Sequence, residues 1–176
     1  LSKTLMDVRY GGGQYDQSHT YPIYQTEAVG HAVRAVYLYT GMADVARHTD
    51  NNDYGTASDT LWDNLANKKL YVTGTVGSGE TSEGFGGNYS LPHTSYSESC
   101  SSCGYLFFNH IQNLRYEDAK YADLMELTLF NGILGSIDLE ADDYGYTNPL
   151  DQSYTRYDWH GCPCCIGNIP RTLLSL

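Results

Sequence analysis

Thr26-Glu-Ala-Val-Gly-His-Ala-Val-Arg-Ala-Val-Tyr-Leu-Tyr-Thr-Gly-Met-Ala-Asp-Val-Ala-Arg-His48 decides the fold class. Ala28, Val29, Ala32, Val36, Leu38, Tyr39, Met42, Val45 and Ala46 recur at helical spacing along it, with Gly41 as a possible break, so it reads as one amphipathic helix or a helix pair. Further helical patterns follow. Thr56 to Asn67 places Leu61, Trp62 and Leu65 on one face, Cys100 to Leu114 carries Leu106, Phe107, Ile111 and Leu114, and Tyr121 to Ile137 is a third. The terminal run Arg171-Thr-Leu-Leu-Ser-Leu176 reads as a helix just begun, with Asn168 as its N-cap.

The connections differ in character. Residues 1–25 are expected to be loop, broken at Gly11-Gly12-Gly13 and polar around Tyr15. Leu70 to Val76 alternates like a short strand or extended segment, Gly74 to Gly87 is a glycine-rich loop holding Glu80 and Glu83, and Asp138 to Trp159 is polar and irregular or partly hairpin-like. With few strands and no parallel-sheet alternation, the expected architecture is mainly α, built of antiparallel helix hairpins.

A chain of 176 residues suffices for one domain with a real core, and 41% hydrophobic content fits a soluble globular class. No membrane span is expected. The net charge of −11 repels nucleic-acid phosphates and anionic lipid surfaces, which demotes both as partners. The 17 tyrosines offer flat faces with polar tips, suited to a sugar cleft or to protein contacts, so a homo-oligomer or larger assembly is carried as a separate expectation. Leu1-Ser-Lys lacks an initiator Met and a signal-peptide pattern, and the chain is read as a fragment; its compartment is undetermined, with a bacterial cytoplasm or periplasm as the expectation.

Glu98-Ser99-Cys100 and Cys162-Pro163-Cys164-Cys165 are far apart in sequence yet together read as one soft-metal site. Thiolates with one carboxylate favour zinc. Glu98 and Cys100 point the same way only on extended chain, which should lie just before a helix, while adjacent Cys164 and Cys165 reach one ion only where the chain turns sharply. Three other readings stand: a closed structural zinc site using the Cys100/Cys103 pair, a disulfide framework with one thiol left over, or free buried cysteine, which would suit Cys103 or Cys162. No strand-turn-helix elbow frames a serine nucleophile, and the glycine-rich loop lacks the lysine and flanks of a phosphate-binding loop.

Several motifs in this order resemble glycoside hydrolase family 127, the retaining β-L-arabinofuranosidases with a zinc-bound cysteine. They are Gly30-His-Ala-Val-Arg-Ala-Val-Tyr-Leu-Tyr-Thr-Gly-Met-Ala-Asp44, Gly84-Phe85 after Glu83, Tyr89-Ser-Leu-Pro92, Tyr96-Ser-Glu-Ser-Cys100, Asn148-Pro-Leu150, and Cys164-Cys165 followed by Asn168. The resemblance implies part of an (α/α) six-hairpin toroid, with residues 1–176 a partial catalytic domain lacking the N-terminal half and C-terminal β-domains. It implies Zn²⁺ ligated by Glu98, Cys100, Cys164 and Cys165, Cys164 as nucleophile, Glu83 as general acid/base, His31 and Tyr146 contacting a carbohydrate, and Cys162 as a non-ligand. Ile166-Gly167 stands where the family usually has Pro-Pro, which suggests a different branch. Another furanoside or acidic plant sugar is therefore one alternative, and a non-catalytic structural or self-assembling module is another.

The chemistry is coherent in itself. A retaining glycosidase needs a nucleophile at the anomeric carbon and an acid that protonates the leaving oxygen, and a metal-held thiolate can take the place of the usual carboxylate. On residues alone, Glu83 also reads as a solvated loop acid with Glu80 its rival, His31 as a packed or capping residue, and Tyr146 as one tyrosine among many.

Overall fold

The computed structural model describes residues 1–79, 82–151 and 155–176. Six α-helices are described: α1 (Ser2–Asp7), α2 (Ala32–Thr49), α3 (Asn52–Lys68), α4 (Ser99–Tyr116), α5 (Ala119–Leu127) and α6 (Cys164–Leu173). A π-helical turn at Thr128–Ile133 and a 3₁₀ turn at Leu134–Ser136 prolong α5. Strand pairing among the described residues is confined to isolated bridges. The mainly α expectation holds.

α2 and α3 form a hairpin through a two-residue link. Asp50 takes the left-handed conformation at φ 50°, and the Asn51 side chain accepts from Tyr54 N at 3.0 Å, satisfying a donor that the first turn of α3 cannot bond internally. α2 packs on α3 and α4. Val36, Tyr39 and Met42 of α2, Leu61 and Leu65 of α3, and Tyr105 and Phe108 of α4 are buried together. A Cβ on Gly104 would meet Val36 Cγ2 at 2.5 Å, so the missing side chain is what lets α4 lie this close to α2. A smaller cluster of Cys103, Leu106, Ile133 and Ile169 joins α4, the extension of α5 and α6.

Several boundaries depart from the sequence reading. Helix α2 begins at Ala32, because Gly30 at φ +70° turns the chain, and it runs through Gly41 unbroken. The N-terminal segment contains α1 and a 3₁₀ turn at Pro22–Tyr24 where loop was expected; the Lys3–Asp7 pair at 2.8 Å and the Tyr54 hydroxyl, which donates to Asp7, tie α1 down. Leu70 to Val76 is a turn and no strand: Gly74, at φ +76°, donates its N–H to Tyr71 O, so the backbone closes on itself. Asn168 is not an N-cap. Helix α6 already starts at Cys164, contains Pro170 and ends at Leu173, so the apolar run at 171–176 closes a helix rather than opening one.

All five cysteines are free, which overturns the disulfide framework. Cys103 fills the core as a small hydrophobe, whereas Cys162 is exposed, so burial explains the first and not the second. Burial pushes the Cys103 thiol from its usual value near 9 up to about 11. Below pH 9 both folded and unfolded chains hold this proton. Between 9 and 11 only the folded chain keeps it, so stability falls as pH rises through that window. Urea unfolding followed across it should show a declining midpoint, and Cys103→Ala should flatten the part of that slope due to this thiol.

Candidate active site

Two helix N-termini converge at the site. Glu98 occupies the N-cap position of α4 with Cys100 in the first turn, and Cys164 and Cys165 are the first two residues of α6. The expected extended stretch is thus shared: Glu98 is extended, while Cys100 is already helical. The paired cysteines stand on a helix start, in place of the sharp loop turn expected for them. The positive ends of both helices favour anionic sulfur at these positions.

The four ligand atoms of Glu98, Cys100, Cys164 and Cys165 lie within 4.8 Å of one another. Cys164 Sγ and Cys165 Sγ are 3.9 Å apart, and Glu98 Oε1 is 3.5 Å from the first and 3.6 Å from the second. With metal–sulfur bonds of about 2.3 Å and metal–oxygen bonds of about 2.1 Å, a tetrahedral ion requires S···S edges of about 3.8 Å and S···O edges of about 3.6 Å. The residues fit such an ion. Cys103 lies outside the cluster, so the four-thiolate site built on the Cys100/Cys103 pair does not form.

Electrostatics favour the same conclusion. Burial raises the Glu98 carboxyl above its usual range, and burial pushes the Cys164 thiol up to about 12. The Cys165 thiol is raised foremost by its hydrogen bond to the Cys100 sulfur and then by burial, while Cys100 is lowered foremost by that same bond. Without a cation the cluster resists holding more than one thiolate; a divalent ion lifts that resistance. Glu98 Oε2 is buried with no hydrogen-bond partner, the mark of an atom awaiting a ligand.

A cleft of about 340 Å³ opens beside the cluster, lined among others by Tyr15, His31, Glu83, Glu98, Tyr146 and Cys164. Antiparallel backbone bonds set its walls. Ala32 N donates to Glu83 O and Phe85 N to Gly30 O, both at 2.9 Å, which lays the Glu83 loop across the start of α2 and brings His31 beside it. Lys69, 1% exposed, braces the loop from behind, donating to Gly86 O at 2.8 Å while paired with Glu27 at 2.9 Å. Ser99 N donates to Tyr146 O at 2.9 Å, which holds Tyr146 against the start of α4.

Every predicted site residue therefore reaches one place. His31 makes no capping bond; its Nε2 lies 3.2 Å from Glu83 Oε2, and because Nδ1 is buried without a partner, Nε2 is the nitrogen that donates. The Tyr146 hydroxyl sits 3.4 Å from Cys164 Sγ, and its own titration is raised, foremost by burial and then by that sulfur. Glu80, the rival acid, lies outside the described residues. Sequence reading missed that the Tyr15 hydroxyl donates to Glu83 Oε2 at 2.6 Å across 68 residues of chain, that Arg34 stacks on the Tyr15 ring at 4.6 Å, and that Asn168 donates to Cys100 Sγ. Nothing local marks these contacts. Tyr39, Tyr54, Tyr71, Tyr105 and Tyr121 are buried, while Tyr10, Tyr15, Tyr21, Tyr24, Tyr89, Tyr116 and Tyr157 are exposed, so the tyrosines serve both the interior and the surface.

Helix hairpins that carry a buried thiol–carboxylate cluster and, across a cleft, a second carboxylate define an enzyme-type site on an α scaffold. The chain belongs to the family of the β-L-arabinofuranosidase GH127 catalytic domain, which it matches along residues 1–176. The non-reducing end β-L-arabinofuranosidase of Bifidobacterium longum subsp. longum is 36% identical over 167 residues, 86% of this chain and 25% of that protein. A solved GH127 β-arabinofuranosidase superposes with a TM-score of 0.91 at 43% identity, over 96% of this chain and 28% of the other. A GH127 β-L-arabinofuranosidase from Geobacillus stearothermophilus T6 gives 0.88 at 36% identity, over 96% and 29%. The chain thus spans between a quarter and a third of the length of these relatives, and its helix hairpins are part of the (α/α) toroid. Among the described residues no helix is long and apolar enough to cross a membrane.

Gly30 is the backbone element on which the His31–Glu83 pairing turns. A Cβ there would stand 1.9 Å from Gln14 O on a φ of +70°. Gly30→Ala should cost about 3 kcal/mol from left-handed strain and overpacking combined, read as a lower urea midpoint at unchanged slope.

Proposed function

We propose that this chain carries the reaction centre of a retaining β-L-arabinofuranosidase, with residues 1–176 forming one segment of its catalytic domain. The observation that carries the reading is that Cys164 and Glu83 line the same cleft while Cys164 also belongs to the thiol–carboxylate cluster. Zn²⁺ would be held by Glu98, Cys100, Cys164 and Cys165, and its positive charge would keep the sulfurs deprotonated at neutral pH.

The protein's own groups divide the remaining work. Cys164 sulfur attacks the anomeric carbon as the bond to the leaving oxygen breaks, and Glu83 delivers its proton to that oxygen. In the second half Glu83 takes a proton from water, the water oxygen bonds to the anomeric carbon and the carbon–sulfur bond breaks, returning both groups to their starting state. Tyr15 and His31 both donate to Glu83 Oε2, which holds the carboxyl in place and leaves Oε1 for the proton transfers. Tyr146 and His31 face the cleft and would contact sugar hydroxyls.

In the full-length protein Cys164→Ser should reduce hydrolysis of an aryl β-L-arabinofuranoside to background. Glu83→Gln should lower kcat by roughly 10²–10⁴-fold, less with a good leaving group that needs no proton. NMR of the first-formed product should show the β anomer. An inverted product, or full turnover by Cys164→Ser, would remove Cys164 as nucleophile.

A further inference from the structure

Asn168 stands on α6 one turn beyond Cys164, on the same face of the helix. Its Oδ1 accepts from Arg171 Nη2 at 2.8 Å and lies 3.3 Å from the Tyr37 hydroxyl, and Arg171 Nη2 is 2.6 Å from that hydroxyl. A guanidinium only donates, so the amide oxygen must face Arg171 and the amide N–H must face the other way. What it meets there is Cys100 Sγ, at 2.9 Å. Arg171 is held in turn over the rings of Tyr37 and Phe107, at 5.9 and 5.5 Å. The orientation of one amide is thereby set by α2, α4 and α6 together.

The sulfurs are treated unequally. Cys164 Sγ and Cys165 Sγ contact each other and Glu98, Cys164 also meets Tyr146 and Cys162, and Cys100, itself bonded to the Cys165 sulfur, receives the side-chain amide. A hydrogen bond from N–H withdraws electron density from a thiolate and so lessens the negative charge its site must bear. Placed on Cys100, it does for that sulfur what the Tyr146 hydroxyl, 3.4 Å from Cys164 Sγ, can do for the attacking one.

We infer that Asn168, oriented by Arg171 and Tyr37, is a positioning residue that donates to the Cys100 thiolate and strengthens the hold on the metal. The inference rests on the metal centre proposed above. Its test is made on the full-length protein with two probes, Zn²⁺ competed by a chromophoric chelator and Co²⁺ read by its thiolate-to-metal charge-transfer absorption.

Asn168→Leu should weaken zinc binding about 10-fold and Asn168→Asp up to about 100-fold, the span usual for groups behind a metal ligand. The charge-transfer band should move to longer wavelength in the order Asn, Leu, Asp, since each step leaves the sulfur electrons less stabilised. A purely structural role would lower affinity without ordering the band by side-chain charge. Arg171→Met, which keeps the amide but frees it to rotate, should give a smaller shift in the same direction, and it decides the matter if the Asn168 variants do not fold. Wild-type protein that binds metal with variants of unchanged affinity and band overturns this inference alone. Wild-type protein that binds no zinc overturns the metal centre and this inference with it.

Discussion

A carboxylate and three thiols cannot share a dry volume a few ångströms across as anions unless a positive charge shares it with them. That constraint organises this end of the molecule. Glu98 is 4% exposed, its Oε1 stands within 3.6 Å of two sulfurs, and its Oε2 has no protein partner. Two helices point their N-termini into the cluster, where their positive ends favour anionic sulfur. A divalent ion would resolve the conflict, and the edge lengths between these residues suit one.

The rest of the fold delivers the parts of this arrangement to one place. Close packing at Gly104 sets α4 against α2, so that the starts of both helices lie side by side. The short antiparallel bridges His31 with Gly84 and Glu98 with Thr147 then hang the Glu83 loop and the Tyr146 segment on those two starts. In this way an α protein obtains the fixed loops that a sheet would otherwise supply. Backbone bonds made at the starts of two packed helices hold the side chains that line the cleft.

Helix content and the members of the thiol–carboxylate cluster were legible because each rests on short-range pattern. The 3.6-residue spacing of Val36, Tyr39 and Met42 requires a buried helical face whatever its partner, and thiols and a carboxylate gathered in two short stretches are a donor set that suits a soft metal. Helix starts were less legible. Gly30, whose conformation begins α2, looks in sequence like any glycine, and Asn168 looks like a cap because its type favours caps, although its amide serves Cys100. Of the two readings of Leu70 to Val76, short strand or extended segment, the strand does not form, because among the described residues no neighbouring strand pairs with it.

The amino-acid order by itself therefore determined which groups could do chemistry, since softness, charge and nucleophilicity are properties of the side chains. It also determined most of the helices, since their periodicity is local. Only the tertiary structure decided that Tyr15 meets Glu83, that Lys69 braces the loop behind it, and that Cys100 and not Cys103 joins Cys164 and Cys165. Those outcomes depend on how helices pack and on which backbone groups remain to be bonded at their ends, and neither is written in the spacing of any one segment.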